Sequence, residues 1–538
     1  MTETNQESQA RLYRGPEGGY DEMFAADGTV RPPYAAAYDL MRDMPDAELR
    51  ERSEYVRSQY LNQGVTFDVG GVESPFPLDV VPRIVPYSEW QLLESGIQQR
   101  VTALEAFLAD VYGRGELFKD GVMPRKVITT SPHFQRCAAG IEPVNGVRIQ
   151  VSGTDLVRGA DGIFRVLEDN VRIPSGVSYV ITNRRAMVAA WPEMMGRYWL
   201  HSVKDYPTML LRALRMAAPP GVSDPNVVVL TPGVYNSAYF EHALLARMMG
   251  VELVEGRDLF VEGGMVKAHT TRGSQPVHVI YRRVDDDFLD PVHFRADSML
   301  GVAGILHAAR DGNVTIANAV GNGVADDKLV CTYVPDLIRY YLHEEPIIPG
   351  VDTWRLENPA DREEVLDRLD ELVVKPVDGS GGKGVVIGPR ATQDELNALR
   401  LKIDEDPRLW IAQPVVQLST VPTIVDGRLG PRHVDLRPFA VNDGERVQVL
   451  PGGLTRVALK EGELIVNSSQ GGGSKDTWVL FNEGPLGYSE GQSGQSQAQS
   501  QSQQSADDEQ SQRQSQGAIV NDVQQSQSQS QSSGGGHA

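Results

Sequence analysis

Cysteine, positive charge and long apolar runs are all scarce in this chain of 538 residues. With only Cys137 and Cys331, a disulfide framework and a cysteine metal site are excluded, and this usage is typical of a reducing compartment. The 51 Lys and Arg residues against 72 Asp and Glu residues give a formal net charge of −21. That charge argues against nucleic acid or an anionic membrane as the main partner. No apolar run could cross a bilayer and the N-terminus lacks the apolar core of a signal peptide, so we expect a cytoplasmic protein.

The chain is long enough, at 41% hydrophobic content, to bury a core in two or three domains. We predict an N-terminal arm and helix over 1–60, a part with candidate metal ligands over 61–220 and an α/β part over 221–330. A part with a lysine-bearing strand and a Gly-rich loop follows over 331–484, and a tail over 485–538. The tail is rich in Gln and Ser and has few apolar residues to bury, so we expect it to be disordered.

Helical periodicity marks the first hundred residues. It predicts helix from Pro32 to a stop at Gly64, and a helix pair over 88–113 in which Ser88 could be a cap.

The stretch DLVRGADGIFRVLEDN, residues 155–170, reads as two strands joined by a turn. Alternation along the second strand directs Glu168 and Asn170 to one side and Asp169 to the other. If the hairpin closes at GADG, Asp155 comes back near Glu168. Two carboxylates and one amide oxygen are a ligand set suited to Mg²⁺ together with substrate phosphates. A solvated acidic hairpin is the alternative.

Polar and cationic side chains crowd the Pro- and Gly-containing loop that follows this hairpin. Arg172 in that loop could hold an anionic substrate or phosphate through its guanidinium fork, and an ordinary surface turn is the alternative.

Strand and helix patterns alternate over 226–316, which predicts a buried parallel sheet. The loop TPGVYN after its first strand lies where such sheets bind ligands, but it lacks the three-glycine dinucleotide fingerprint. A second acidic cluster follows at Asp285, Asp286, Asp287 and Asp290. It could bind a metal or an amine, although such clusters more often cap helices or form solvated turns.

The stretch ELVVKPVDGSGGKGVVIGP, residues 371–389, predicts a strand, a flexible Gly-rich loop and a second strand. Lys375 within an apolar strand needs an anionic partner, which favours a phosphate-binding lid over a plain Gly-rich hairpin. It is not a Walker A loop, because Lys383 is followed by Gly384 instead of Ser or Thr.

Further along, His433, Asp435 and Arg437 share one face of a predicted strand and suggest the wall of a site. Arg456 could contact a phosphate or carboxylate, and Asn467 could add a metal or phosphate contact.

An Asp on one strand, Glu-x-Asn on the next, a Lys-bearing strand and a Gly-rich lid together resemble the ATP-grasp superfamily. Most of its members carry the Lys and lid before the metal ligands, whereas here the metal ligands come first. That order is similar to the circularly permuted type 2 ATP-grasp proteins, and to glutathionylspermidine synthetase in its permutation. The resemblance covers roughly residues 60–482 and is carried by VLEDNVRIPSGVSYV, LTPGVYNSAYFEHALLARMMG, DDDFLDP, NAVGNGVADDK, KPVDGSGGKG, RHVDLRPF and NSSQGGGSKDTWVL.

The resemblance implies an α/β (α+β) fold, namely a circularly permuted ATP-grasp fold with an inserted Rossmann-like α/β part and N-terminal helices. It implies ATP and Mg²⁺ as cofactors, with Mg²⁺ bound by Asp155, Glu168 and Asn170, and Gln413 at the adenine-side hinge. Arg437 and Arg456 are matched by local context as catalytic residues together with Lys375. The residues implied to contact nucleotide phosphates are Lys375, Gly379, Ser380, Gly381, Gly382, Lys383 and Gly384.

The implied activity is an ATP- and Mg²⁺-dependent ligase that joins a small-molecule or peptide carboxylate to an amine through an acylphosphate. A phosphotransferase on the same scaffold and a non-catalytic nucleotide-binding scaffold are the alternatives. The sequence identifies neither co-substrate, nor the oligomeric state, and nothing in it resembles an amidase domain.

Overall fold

The computed structural model of the chain describes residues 13, 15–69, 72–379, 384–425, 427–463, 466 and 472–487, with 67–69 and 72–74 described by their backbone alone. Residues Met1–Leu486 form one compact unit. Four lid residues, Ser380, Gly381, Gly382 and Lys383, lie outside the described residues, as do Asn467 and nearly all of the predicted tail.

The helices of the described residues are α1 Ala35–Met41, α2 Asp46–Gln63, α3 Tyr87–Val111, α4 Glu116–Lys119, α5 Arg125–Thr129, α6 Val177–Ala190, α7 Pro192–Met195, α8 Tyr206–Met216, α9 Tyr239–Met249, α10 Asp286–Leu289, α11 Ile305–Arg310, α12 Gly323–Asp326, α13 Lys328–Cys331, α14 Val334–Leu342, α15 Pro359–Asp367 and α16 Gln393–Glu405. The strands are β1 Thr66–Val69, β2 Val72–Pro75, β3 Leu78–Val85, β4 Val151–Arg158, β5 Phe164–Asn170, β6 Val227–Leu230, β7 Glu252–Val254, β8 Leu259–Glu262, β9 Met265–Thr270, β10 Gly273–Pro276, β11 Val279–Arg282, β12 Thr315–Ala317, β13 Trp354–Arg355, β14 Leu372–Pro376, β15 Val386–Ile387, β16 Trp410–Pro414, β17 Thr420–Val425, β18 Arg428–Arg437, β19 Phe439–Asn442, β20 Val447–Val449, β21 Leu454–Val457 and β22 Gly473–Val479.

The largest sheet joins strands from distant parts of the chain in the order β20-β19-β4-β18-β21-β22-β3, with β5 paired to β4 and β17 to β18. The chain enters this sheet through β3, β4 and β5, leaves it for three other sheets, and returns for β17 to β22. Side chains of β4 therefore lie beside side chains of β18 that are nearly three hundred positions later, at Val157 opposite Asp435.

The parallel sheet predicted over 226–316 is confirmed, with strand order β12-β11-β6-β7. All residues of β6 and β11 are buried, as expected for strands covered on both faces. Their apolar side chains divide between the two main hydrophobic clusters of the unit, Val228 and Ile280 in one and Val229 and Tyr281 in the other.

A smaller antiparallel sheet has the order β13-β16-β14-β15 and a hydrophobic cluster of its own. β14 pairs with β15 across the Gly-rich segment, with Val373 opposite Ile387, so the strand–loop–strand arrangement predicted there is confirmed. β14 also pairs with β16, which places Lys375 opposite Ile411.

The helix pair predicted over 88–113 is wrong, because the structure has one continuous helix, α3. Gly96 lies within this helix, and the side chain of Ile348 occupies the space where a Cβ at position 96 would lie. Ser88 is also not the cap: Pro86 precedes the helix, and the backbone N–H and hydroxyl of Ser88 donate to Glu483 at 2.9 and 2.7 Å. The predicted stop at Gly64 is confirmed by its left-handed backbone, with φ of 64°.

Within the part of the chain that is described, no helix is both long and apolar enough to cross a membrane.

Candidate active site

The hairpin predicted over 155–170 is present, and it brings the acidic side chains together. β4 and β5 pair antiparallel, so that Asp155 lies opposite Glu168 and Gly153 opposite Asn170. Asn170 Nδ2 also donates a long hydrogen bond of 3.4 Å to Asp155 Oδ1. Two carboxylates and an amide therefore converge on one side of the hairpin.

Asp169 points to the other side, as strand alternation predicts. Its carboxylate pairs with the buried Arg100, whose Nε lies 2.8 Å from both oxygens. The pairing of β4 with β5 shifts just beyond Asp155, where Leu167 is an extra residue on β5. Such a β-bulge re-aims the neighbouring side chains, and here it lies directly beside Glu168.

Asp155 is 1% exposed and pairs with two arginines. Its carboxylate accepts hydrogen bonds from Arg437 Nε, from Arg437 Nη2 at 2.7 Å and from Arg456 Nη2 at 2.6 Å. Burial alone would raise the pKa of this carboxyl, but the two guanidinium groups outweigh burial and hold the pKa of Asp155 well below its usual range. Asp155 therefore stays ionised and fixes the orientation of both arginines.

Arg456 is shared between Asp155 and Asp435. Its Nε donates to the two oxygens of Asp435 at 3.0 and 2.9 Å, and its Nη2 contacts both carboxylates. Burial disfavours the charge of Arg456, but the two carboxylates outweigh burial and raise its pKa. Burial raises the pKa of Asp435, and the positive charge of Arg456 lowers this pKa by less than burial raises it. Asp155 thus carries its negative charge more readily than Asp435 does.

Of the three residues predicted to form the wall of a site on one strand face, His433, Asp435 and Arg437, these contacts include two. Asp435 and Arg437 both belong to the cluster around Asp155. His433 instead places its Nδ1 2.8 Å from the backbone carbonyl of Leu418, which lines the cavity described below.

Lys328 is a site residue for which the sequence reasoning assigned no role. Its Nζ lies 3.1 Å from Glu168 Oε2 and donates a hydrogen bond to the carbonyl of Gly379 at the base of the lid. The preceding residue, Asp327, caps the short helix α13 by accepting from Leu329 N at 2.9 Å. In the sequence, the pair Asp326 and Asp327 directly before Lys328 was the only sign of a polar site at the start of this helix. The tertiary structure alone shows that the ammonium group of Lys328 points toward Glu168.

Lys375 is partly buried and donates a hydrogen bond of 2.6 Å to Gln413 Oε1. Burial lowers the pKa of Lys375 to about 8, while the nearby Glu168 raises it and Lys328 lowers it further. Gln413 Nε2 in turn donates to Thr353 Oγ1 at 2.9 Å. The side chain of Gln413 is thus engaged with Lys375, just before the apolar segment of residues 414–416.

One cavity lies between the large sheet and the smaller sheet and collects most of these groups. Its charged and amide side chains are Asp155, Glu168, Lys328, Lys375, Gln413, Asp435 and Arg456. Its remaining wall is apolar and consists of Val157, Leu167, Val373, Pro376, Val385, Ile387, Ile411, Pro414, Val415, Val416, Leu418 and Val466, with Gly379 at the lid. A cavity with an apolar wall and a cluster of cations and carboxylates suits a ligand that has a flat apolar part and a polyanionic part.

Arg172 lies apart from this cavity lining. Its Nη1 pairs with Asp285 at 3.0 Å and its Nε with Asp326 at 3.5 Å. Burial and the neighbouring carboxylates Glu168 and Asp169 raise the pKa of Asp326 to about 7, although Arg172 opposes that rise. The structure therefore gives Arg172 carboxylate partners on the α/β side of the hairpin.

The acidic cluster at 285–290 has capping and ion-pair roles. Asp285 caps α10 by accepting from Asp286 N at 2.8 Å, Asp286 pairs with Arg282 at 2.6 Å, and Asp290 accepts from Gly304 N at 3.0 Å. The capping alternative is confirmed for Asp285. Over the described ranges, no group of three or more His, Cys, Asp or Glu side chains is arranged to hold a metal ion by itself.

The donor set on the hairpin fits Mg²⁺ as one part of a shared ligand shell. Because Asn170 turns its Nδ2 to Asp155, its amide oxygen points away from Asp155. Glu168 lines the cavity with 26% of its side chain exposed. Both carry oxygen atoms of the kind that Mg²⁺ prefers and would supply them to a bound ion, and Asp155 would have to share its oxygens with Arg437 and Arg456.

Comparison with known proteins gives one family and several relatives. The model of the family described as circularly permuted ATP-grasp type 2 matches residues 82–458. An uncharacterised protein of Mycobacterium tuberculosis (strain ATCC 25618 / H37Rv) is 60% identical over 461 residues, which cover 86% of this chain and 84% of that protein. An uncharacterised protein of Synechocystis sp. is 50% identical, over 86% of this chain and 98% of that protein.

A third relative, from Frankia alni, carries the name "Putative glutamate--cysteine ligase 2-3" and is 46% identical over 87% of this chain, but the match covers 54% of that protein. Among solved structures, a glutathione synthetase-like effector from Globodera pallida in its apo form is similar, with a TM-score of 0.55 and 12% identity. That likeness covers 81% of this chain and 98% of the effector, and at such an identity it shows the fold alone.

Proposed function

This chain belongs to the circularly permuted type 2 ATP-grasp family, and on that premise we propose that it is an ATP-dependent ligase that joins a carboxylate to an amine through an acylphosphate. The observation that carries the proposal is that Lys328, Lys375 and Arg456 line the same cavity as Glu168 and Asp155. A nucleoside triphosphate needs cations for its phosphates and an apolar wall for its base, and this cavity offers both.

In this proposal the base of the nucleotide lies against the valine-rich wall that includes Val415 and Val416. Lys375 and Lys328 contact the phosphates beside Gly379, where the Gly-rich segment begins. Glu168 and Asn170, with Asp155, would hold Mg²⁺, and the bound ion would neutralise charge on the phosphate oxygens.

The arginines have a different task from the lysines. Arg456 is anchored on two carboxylates and Arg437 on one, so both are preorganised before any substrate arrives. Preorganised cations stabilise developing negative charge because they do not need to reorient during the reaction. We propose that they stabilise the transferring γ-phosphoryl group of ATP as a substrate carboxylate attacks it and its bond to ADP breaks, which releases ADP and leaves the acylphosphate. An amine then displaces phosphate from the acylphosphate, which requires that water be kept out of the closed site.

The name of the Frankia alni relative describes a reaction of the same class, between a carboxylate and an amine. Because the match covers 54% of that protein, its name supports the class of reaction and not a particular pair of substrates.

An assay of ADP release tests the proposal, with fractions of a metabolite extract offered as substrates in the presence of Mg²⁺ and ATP. We expect a fraction that stimulates release of ADP and phosphate together with a new amide, and we expect Glu168→Gln to abolish this stimulation. A stable phosphorylated product without phosphate release would instead identify a phosphotransferase. Nucleotide binding without turnover in any fraction would favour the scaffold alternative.

A further inference from the structure

Lys375 is one end of a chain of hydrogen bonds that crosses three neighbouring strands. Lys375 Nζ on β14 donates to Gln413 Oε1 on β16 at 2.6 Å, and Gln413 Nε2 donates to Thr353 Oγ1 at 2.9 Å. Thr353 directly precedes β13, which pairs with the opposite edge of β16. Its hydroxyl donates onward to the carbonyl of Val351 at 2.8 Å.

The direction of this chain follows from its two ends. The single proton of the Thr353 hydroxyl is committed to a backbone carbonyl, so the Thr353 oxygen can only accept from Gln413. An ammonium group can only donate, so the Gln413 atom that faces Lys375 has to be the amide oxygen. With the amide turned over, an NH₂ group would face the ammonium, and both ends of the chain would be unsatisfied.

We propose that Gln413 and Thr353 are positioning residues that hold the Lys375 ammonium in the cavity with its full positive charge available to nucleotide phosphates. The proposal rests on the proposed function, because it assumes that Lys375 contacts a triphosphate. Gln413 is 5% exposed, so its amide has little competition from water. A neutral amide orients the ammonium without neutralising it, whereas a carboxylate in the same place would form an ion pair with it.

Thr353 acts through Gln413 and not on the ligand itself. Among the described residues, Thr353 lines a second, adjoining cavity together with Arg100, Cys331 and Thr332, and it is not part of the wall of the first. Gln413 lines both cavities. Substitution of Thr353 therefore changes the anchor of the amide and leaves the lining of the nucleotide cavity as it is.

The test measures binding of two probes by calorimetry in the presence of Mg²⁺: AMP-PNP, a non-hydrolysable ATP analogue, and adenosine, which has no phosphates. For Thr353→Val we expect AMP-PNP to bind about tenfold more weakly, as for the loss of one hydrogen bond in a buried network, while adenosine binds as in the wild type. Thr353→Ser keeps the hydroxyl and should restore the affinity for AMP-PNP. Gln413→Glu should weaken AMP-PNP by at least as much, since it pairs the ammonium.

Two results would overturn the positioning role: equal losses for AMP-PNP and adenosine in Thr353→Val, or equal losses in the Val and Ser variants. Lys375→Ala serves as the reference. If Lys375→Ala weakens AMP-PNP but Thr353→Val does not, the positioning role fails and the proposed function stands. If Lys375→Ala also binds AMP-PNP like the wild type, the assignment of the phosphate site itself fails.

Discussion

Asp155 balances the charges at the centre of the candidate site, since it is buried and paired with two guanidinium groups. Breaking a buried ion pair leaves an uncompensated charge, at a typical cost of about 3–5 kcal/mol. We expect Asp155→Asn to lower the free energy of unfolding by an amount of that order, measured by urea denaturation.

The matched control for Asp155→Asn is Asp161→Asn in the turn of the same hairpin. Asp161 pairs with Arg165 at 2.6 Å, but both side chains are partly exposed. Such pairs typically contribute less than about 1 kcal/mol. Similar losses of stability in the two variants would show that the buried ion pairs of Asp155 contribute no more to stability than the exposed pair of Asp161 does.

The buried Lys475 and the partly buried Lys375 differ in their partners, and that difference predicts different roles. Lys475 Nζ contacts Asp79 and donates to the carbonyls of Val81 and Pro422 at 3.0 and 2.8 Å. Among the described residues, Lys375 donates to the neutral Gln413 alone. Lys375→Ala should therefore reduce turnover by on the order of a hundredfold or more with little change in melting temperature, because it removes a preorganised donor. Lys475→Ala should lower the melting temperature instead, and the opposite pattern would contradict the assignment.

The pH dependence of nucleotide binding follows from the pKa of Lys375, which burial lowers to about 8. Phosphates bind the ammonium form of Lys375, so nucleotide binding raises the pKa of this lysine. The affinity for the nucleotide is therefore highest below the pKa of the free site. As pH rises through about 8 the free site loses its proton, and the affinity for AMP-PNP should fall by up to roughly tenfold per pH unit. Lys375→Arg should flatten this profile, because a guanidinium group stays charged. An unchanged profile in Lys375→Arg would assign the titration to another group.

At the scale of elements, the β-bulge at Leu167 determines which face of β5 carries Glu168. Because side chains alternate along a strand, removing one residue shifts the following side chains to the opposite face. We expect deletion of Leu167 to abolish Mg²⁺-dependent binding of AMP-PNP, measured by calorimetry. Deletion of Ala160, which is exposed in the turn and outside the paired strands, should retain that binding. Retention of binding in both deletions would contradict the role of the bulge.

For the whole molecule, the fold is contained in residues Met1–Leu486, and the Gln/Ser-rich sequence that follows offers few apolar residues to pack. We expect removal of residues 489–538 to leave the melting temperature and the affinity for AMP-PNP unchanged. Thermal unfolding and calorimetry of the truncated and full-length chains check this, and a large fall in melting temperature on truncation would show that the tail packs against the rest.

The sequence by itself determined the local elements and the first half of the site. Alternation and turn composition predicted the hairpin with Asp155 opposite Glu168, the parallel sheet and the two strands around the lid, and the structure confirms each of them. These features follow from backbone periodicity and turn chemistry, which depend on neighbouring residues only. The continuity of α3 was missed. The local sequence also does not show that Ile348 packs against Gly96 and leaves no room for a side chain there, because that contact spans some two hundred and fifty positions.

Only the tertiary structure decided which charges meet. Arg437 and Arg456 reach Asp155 across 282 and 301 positions. The acidic pair before Lys328 does not show that its ammonium group meets Glu168, and nothing in the sequence around Thr353 shows that it contacts Gln413. Arg172, beside the hairpin in sequence, pairs instead with Asp285 and Asp326. A strand pattern specifies which face a side chain takes, but the order in which distant strands pair specifies its partner. That order is set by burial of the apolar faces of all the sheets together.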